Sequence, residues 1–347
     1  MQVLSATDAI SPAVARTRNL LFRPFEWKTF LKLCIVAIFT EGLSGNFNFN
    51  VPHHTQTTHV EASPFPIHWS PALIAAIAAA ALAGIVIAVI LAYVSVRLRF
   101  ALFECLIHQT RQIGPGWRLY RTQAGRFFLL CIGVGVVFLA VLAAVAIPFV
   151  LGFWRIYRDS QGGHFPIGAF FALVLPLIPI VLLVMLAGIA IDMILRDFML
   201  PHIALEDASA GQAWAAVRLR IAREKGAFLV YALLRVILPA AAVLGLMIAL
   251  AIPCLIVFGG LAVVMGLVHG VLNHVTGAVW VLRTLVECLL GVTIVAFGFF
   301  VAVTFGGPLC IAVRNYALLF YGGRYQALGD ILSPPAPPAA VIEPGIV

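Results

Sequence analysis

The residues best suited to bind a metal lie in a histidine-rich stretch between residues 51 and 70. His53, His54 and His59 stand close together there, and Glu61 adds a carboxylate. Imidazole is a common ligand of zinc and similar metals, and histidine also titrates near neutral pH. The spacing matches no closed zinc motif. We therefore expect an ordinary polar loop, with a metal or proton-sensing site as the alternative, and no cofactor.

Three carboxylates stand within or beside apolar stretches, where ionisable groups mark functional sites by default. They are Glu41, Asp192 and Glu287. Arg196 follows Asp192 by four positions, so the two can pair along one face of a helix. Arg283 and Glu287 have the same spacing. Glu41 has no such neighbour, and we expect it at the outer end of a short first span. A transport role for these carboxylates is the alternative to simple pairing.

Sequence motifs of known enzyme classes are absent from the chain. It has no GxSxG turn, no HExxH pair, no phosphate-binding loop and no nucleotide-binding fingerprint. The six cysteines are scattered singly, and buried free cysteine behaves as a small apolar side chain. We therefore predict a protein that is not an enzyme.

The elements that position these residues are predicted to be membrane helices. Only 10% of the residues are charged and 63% are hydrophobic, whereas soluble domains have about 25% charged residues. Several apolar stretches, most clearly residues 71–96, are longer than the roughly 18 residues that mark a candidate span. The composition therefore indicates an integral membrane protein.

The distribution of basic residues predicts the topology. A net charge of +8 could suggest a nucleic-acid partner, but the basic residues fall in alternate connecting segments, as the positive-inside rule requires. Of the 22 Lys and Arg residues, all but Arg155, Arg158 and Arg283 lie in segments assigned to one side. We predict an inner-membrane protein with both termini in the cytoplasm, and no nucleic-acid partner.

One basic stretch, EDASAGQAWAAVRLRIAREKGAF at residues 206–228, has a helical pattern. Trp214, Val217 and Ile221 form a single stripe along such a helix. A helix of this kind suits the headgroup plane, where anionic lipids attract basic residues. Packing against protein is the alternative. A similar stretch surrounds Trp117, and the predicted lipid-interface residues are Trp117, Arg118, Arg121, Trp214, Arg218, Arg220, Arg223 and Lys225.

Short similarities recur about every hundred residues. The tripeptide LRF at 98–100 reappears as RDF at 196–198, and FMLP at 198–201 is similar to FGGP at 305–308. Internal repeats are common in membrane folds. The predicted fold is all-α integral membrane, with about six transmembrane helices in three repeats of an interfacial amphipathic helix plus a two-span hairpin.

The predicted repeats cover about residues 5–104, 105–204 and 205–330, within a single membrane domain of residues 1–332. The segment Gly260–Leu282 does not fit, because a seventh span would place the C terminus outside. We interpret it as an outer re-entrant or surface helix joined to the start of the sixth span. Residues 333–347 are a Pro-rich tail, and such tails are usually extended and disordered.

The combination of basic AW-containing helices, hairpins, FxxP exits and the ending FGGPLCIAVRNYALLFYGGRYQAL at 305–328 resembles a known pattern. It is similar to bacterial multi-span membrane proteins of the domain-of-unknown-function type. It also resembles the membrane domain attached to some glycerophosphodiester phosphodiesterases. The resemblance implies fold and location and carries over no catalytic residue, because the catalytic barrel of those enzymes is absent.

Two functions follow as hypotheses. The first is a non-enzymatic membrane component that organises lipid or a partner protein, with anionic headgroups at the cytoplasmic face as the main contact. The second is a transporter or lipid-handling protein with a cavity between repeats. A cavity lined by Glu41, Asp192 or Glu287 would favour the second hypothesis.

Overall fold

The computed structural model describes residues 3–41, 71–160, 167–272 and 279–333, and these residues form helices and no strands. Two π-helical turns interrupt the series, at Ile194–Met199 and Ala302–Gly306. The α-helices are α1 (Ile10–Phe22), α2 (Trp27–Glu41), α3 (Pro71–Ile107), α4 (Ile113–Leu119), α5 (Arg121–Ser160), α6 (Ile167–Met193), α7 (Leu200–Leu205), α8 (Ala210–Arg223), α9 (Lys225–Leu272), α10 (Val279–Val301), α11 (Gly307–Gly322) and α12 (Gln326–Leu332).

Five stretches of the described residues are long and apolar enough to cross a membrane. Lipid offers no hydrogen bonds, so only segments that satisfy their own backbone groups, as helices do, can cross it. The chain is therefore an all-helical, multi-pass membrane protein. The stretches are Pro71–Ile107, Arg121–Ser160, Ile167–Leu205, Lys225–Leu267 and Thr284–Gly322.

The first of the six predicted spans is not among these five stretches. It corresponds to α2, which has 15 residues and is therefore about 22 Å long at 1.5 Å per residue. That length is less than the roughly 30 Å of a hydrocarbon core. Residues 42–70 lie outside the described part of the chain, so the six-span topology stays a prediction.

The apolar core lies at one end of the molecule, in a unit that we call the base. The base consists of α1, α2, α4, α7, α8, α11, α12, the π-helical turns and the adjoining ends of α3, α5 and α9. Helix α11 is at its centre and packs against α1, α2, α9 and α12. Gly307 lets α11 approach α2 closely, because a Cβ atom there would overlap the Cβ of Cys34.

Away from the base, the apolar stretches have little protein around them. In four of the five stretches, none of the most apolar 18-residue segment is buried within the protein, and in the fifth stretch 6% of that segment is buried. Helices α5 and α6 pack as a pair through Phe153 and Phe170, whose ring centroids are 6.2 Å apart. Helices α9 and α10 pair through Phe258 and Phe297, at 5.6 Å. The base therefore holds together helices that otherwise expose their sides.

Both FxxP sequences adopt the same local structure. In each, a π-helical turn precedes a helix with proline at its start, Pro201 in α7 and Pro308 in α11. Proline lacks an N–H and clashes with the carbonyl four residues earlier, and a wider turn relieves both problems. The likeness of the two exits agrees with the repeat hypothesis, which stays a prediction.

The interpretation of Gly260–Leu282 is wrong for its first part. Residues 260–272 continue α9 without a break, as the end of the preceding span and not as a separate helix joined to the next one. The stretch is apolar apart from His269, and glycine alone weakens a helix without ending it. Residues 273–278 lie outside the described part of the chain.

Candidate functional site: a buried charge cluster

Ionisable side chains from six helical segments meet inside the base. Buried charges are stable only when they are paired and hydrogen-bonded. We call this group the charge cluster. Its members are Glu41 from α2, Arg99 from α3, Asp192 from α6, Arg196 and Asp197 from the first π-helical turn, Arg235 from α9 and Arg314 from α11.

Asp197 accepts three hydrogen bonds from side chains of the base, and its own side chain is 0% exposed. Its Oδ1 accepts a hydrogen bond from Arg314 Nη1 at 2.7 Å. Its Oδ2 accepts from Arg235 Nε at 3.1 Å and from the Tyr231 hydroxyl at 2.8 Å. Because these partners come from α9 and α11, one carboxylate joins three segments that are far apart in sequence.

The sequence offered no obvious partner for Glu41, and the structure gives it two arginine partners. Its Oε2 lies 3.7 Å from Arg196 Nη1 and 3.6 Å from Arg235 Nη2. The reason is that α2 packs along α11 and α3, so its C-terminal end points into the base. Thr40, next to it, accepts a hydrogen bond from Arg99 Nε through its carbonyl oxygen at 3.1 Å.

The predicted pair of Asp192 and Arg196 is confirmed, with Arg196 Nε 2.6 Å from Asp192 Oδ1. Asp192 is at the edge of the charge cluster, since 41% of its side chain is exposed. Within the described residues the charge cluster has four arginines against three carboxylates. When all are ionised, it therefore has one more positive charge than negative.

A cleft opens beside the charge cluster, between α3 and α5. Its volume is about 460 Å³, within the range of roughly 300–1,000 Å³ typical of ligand pockets. Arg99 and Ser95 stand at one end, and the rest of the wall is mostly apolar. The lining residues are Ala88, Leu91, Ala92, Ser95, Val96, Arg99, Phe128, Cys131 and Ile132.

A second polar group in the base surrounds the buried side chain of His202. The His202 ring nitrogens lie 3.0 Å from Glu206 Oε2 and 2.8 Å from the Tyr321 hydroxyl. The hydrogen bond from His202 holds the pKa of Glu206 below its usual value. Burial and the neighbouring Glu206 raise the pKa of Tyr325. The contacts fasten α7 to the end of α11.

The predicted lipid-facing stripe of α8 differs from the structure. Ala213 and Val217 face the protein and are 0% exposed, while Trp214 is 46% exposed. A small alanine allows α8 to pack closely, and the bulky Trp214 is left at the edge. Ile221 is half-buried against the same core. The alternative of packing against protein therefore describes one face of α8.

The remaining residues predicted at the lipid interface fall into two groups, those that contact other parts of the protein and those with exposed side chains. Arg220 differs from the expectation, because its Nε donates to the Arg324 carbonyl at 3.2 Å and its guanidinium lies 5.3 Å from the Tyr325 ring centroid. Trp117 is half-buried under the guanidinium of Arg97, at 4.1 Å. The residues with exposed side chains are Arg118, Arg121, Arg218, Arg223 and Lys225.

Some predicted residues lie outside the described part of the chain. These are His53, His54 and His59, together with the side chain of Glu287. Among the described residues, no group of three or more His, Cys, Asp or Glu side chains is arranged to hold a metal ion.

Comparison with known proteins gives one match. A family of unknown function, DUF7544, matches residues 4–331. The chain belongs to this family. No curated protein and no solved structure matches it. Family membership covers the base and the apolar stretches together, and it assigns no activity to either.

Sequence reasoning missed the centre of the charge cluster. Asp197 is part of the RDF tripeptide, which the sequence analysis interpreted only as a repeat of LRF. Arg99, Arg235 and Arg314 were counted as topology signals. An aspartate beside an arginine at the end of an apolar stretch was the available clue, because an ionisable residue at that depth needs a partner.

Proposed function

We propose that this protein is a non-enzymatic, multi-span component of the inner membrane that organises the surrounding lipid. One observation carries the proposal: the helices are joined by a charged, well-packed base, while the most apolar 18-residue segment of each stretch is only 0–6% buried within the described residues. Membrane helices that pack on one another do so through close van der Waals contact. Surfaces left this open are surrounded by lipid chains or by the helices of a partner.

The charge cluster explains how such an open arrangement can hold its shape. Asp197 joins the first π-helical turn to α9 and α11, and Glu41 brings in α2. Removing one member of a buried ion pair costs roughly 3–5 kcal/mol, so these contacts resist separation. A stiff base would keep the apolar stretches apart without direct contact between them.

The proposed orientation puts the base at the cytoplasmic surface, with both termini inside and the histidine-rich stretch outside. The arginine distribution supports it, as does the group of exposed basic side chains at Arg118, Arg121, Arg218, Arg223 and Lys225. Anionic headgroups would meet these residues. Six spans in three repeats, and a likeness to the membrane domain of some glycerophosphodiester phosphodiesterases, belong to the same proposal.

Electron paramagnetic resonance with spin-labelled phospholipid tests the proposal. The purified chain, reconstituted at several lipid-to-protein ratios, should immobilise more lipid molecules per chain than a packed bundle with the same number of spans. The reference bundle is measured in the same lipid mixture. An equal number of immobilised lipids in both would contradict the proposal. A second copy covering the apolar stretches would also contradict it, and would appear as a dimer in the reconstituted sample.

The alternative is lipid handling or transport, and the cleft between α3 and α5 favours it because Arg99 lines that cleft. A protein of this kind would move a spin-labelled or fluorescent phospholipid between leaflets. Proteoliposomes containing the chain should then equilibrate the probe faster than empty liposomes. An unchanged rate would leave lipid organisation as the function.

A further inference from the structure

The cleft between α3 and α5 combines features that belong together in a lipid site. Its walls include the exposed side chains of Leu91 on α3 and Ile132 on α5, so it opens toward the lipid side of both helices. At one end it reaches Arg99, a member of the charge cluster. The apolar part suits a hydrocarbon chain, and the charged end suits an anionic group.

The length of the cleft matches one leaflet of a bilayer. Ala88 and Arg99 both line it, and their separation of eleven positions corresponds to about 16 Å of helix. One leaflet contributes half of the roughly 30 Å hydrocarbon core, or about 15 Å. An acyl chain of a lipid in that leaflet would therefore run along the cleft to its headgroup at Arg99.

Two polar observations at the charged end point to a headgroup. Ser95 is 5% exposed, and among the described residues its Oγ has no hydrogen-bond partner. A buried hydroxyl without a partner costs roughly 1–3 kcal/mol, so a ligand atom that bonds it would be favoured. Among the described residues, the charge cluster behind it has one more arginine than carboxylates. Guanidinium groups recognise phosphate especially well.

We propose that the cleft between α3 and α5 binds one phospholipid with an anionic headgroup, whose phosphate lies at Arg99 and Ser95 and whose acyl chain lies along Ala88–Ala92. The leaflet is the one next to the base, which is the cytoplasmic leaflet in the proposed orientation. This inference rests on the proposed function, since it names one lipid that the protein would hold specifically. It predicts a defined site, whereas lipid organisation in general requires only an open surface.

Photo-crosslinking tests the site in the full-length protein. The chain is reconstituted in phosphatidylcholine nanodiscs containing a trace of phosphatidylglycerol or phosphatidylcholine that has a diazirine in its acyl chain. After illumination, labelled peptides are mapped by mass spectrometry. The phosphatidylglycerol probe should label Ala88–Val96 and Phe128–Ile132 about five-fold more than the phosphatidylcholine probe, the preference that one basic residue near an anionic surface provides.

Two variants make the test specific. Ala92→Phe fills the cleft and should abolish labelling of both segments, without touching the charge cluster. Ala83→Phe is the matched control, because Ala83 is also exposed on α3 and stands nine positions away, half a turn round the helix. Labelling of Ala83→Phe should equal that of the natural protein.

Three results would overturn the inference: equal labelling of the two variants, equal labelling by both probes, or crosslinks between two copies of the chain through the cleft. The first two results leave unchanged the number of immobilised lipids per chain measured by paramagnetic resonance, whereas crosslinked copies would lower that number as well. Loss of the specific site is therefore distinguishable from failure of the proposed function.

Discussion

Replacing Asp197 by asparagine tests whether the charge cluster holds the base together. Asparagine has nearly the same size and keeps a carbonyl oxygen as acceptor, but it loses the negative charge. The Asp197 side chain is 0% exposed and lies 2.7 Å from Arg314 and 3.1 Å from Arg235. In the variant, both guanidinium groups face a neutral amide, and the excess of positive charge in the cluster rises from one to two.

The expected loss in free energy of unfolding follows from the burial of this ion pair. Removing one partner of a buried ion pair costs roughly 3–5 kcal/mol, because the other charge is left without compensation. The hydrogen bond from Tyr231 can still be made to the amide oxygen, and such a bond contributes about 1 kcal/mol. We therefore expect Asp197→Asn to lower the free energy of unfolding by about 3 kcal/mol, the lower end of that range.

The assay is equilibrium unfolding in mixed micelles, with increasing SDS and tryptophan fluorescence as the signal. The control is Asp207→Asn. Asp207 also pairs with an arginine, Arg126, at 3.1 Å, but both side chains are 57% exposed. Exposed pairs contribute roughly 0–1 kcal/mol, so this variant should unfold almost like the natural protein.

A double-mutant cycle decides whether the stability lost in Asp197→Asn comes from the ion pair between Asp197 and Arg314. If it does, Arg314→Gln combined with Asp197→Asn should cost less than the sum of the single variants, by at least about 1 kcal/mol. Additive costs would refute the reasoning, as would equal stability of the Asp197 and Asp207 variants.

Two further predictions concern packing and pH. Gly307→Ala should destabilise the base by roughly 1–3 kcal/mol, because the added methyl overlaps Cys34. The control is Gly84→Ala, which should be neutral or slightly stabilising because nothing lies within 4 Å of the new Cβ. Equal effects of the two variants in the same SDS titration would contradict this prediction. Hydrogen bonding from His202 lowers the folded-state pKa of Glu206. Ionised Glu206 therefore contributes fully to the free energy of unfolding above its unfolded pKa of about 4.3, and this contribution is lost as the pH falls through the folded pKa. Glu206→Gln should therefore reduce the acid sensitivity of stability measured between pH 6 and pH 3, and an unchanged pH profile would contradict that reasoning.

Local features of the fold were predictable from the sequence. The apolar stretches at residues 71–107 and 121–160 are spans by length and composition alone, because a bilayer selects for both. The pair of Asp192 and Arg196 follows from helical spacing. The two FxxP exits were recognisable as a repeated similarity, whereas the π-helical turn before each proline was not predicted.

Tertiary features were not predictable in the same way. Glu41 meets Arg196 across 155 positions of sequence, and no spacing rule connects residues that far apart. Arginine has two uses here, since the same residue type sets topology and neutralises buried carboxylates. The packed face of α8 was not predicted, because it is formed by Ala213 and Val217, and close packing depends on the small side chain of Ala213.

The two ends of the chain are joined within the base, and this has a consequence for how the protein is made. Asn315 donates a hydrogen bond to Thr17 across 298 positions, and Arg324 donates to the Leu4 carbonyl across 320. During translation at about 5–20 residues per second, α1 therefore waits on the order of 15–60 seconds for its partner helix. The intervening apolar stretches emerge first and insert into the bilayer while Asp197 still lacks Arg314. A nascent or truncated chain without α11 would present unpaired buried charge and an uncovered α1, the features by which chaperones and membrane proteases recognise unfinished proteins.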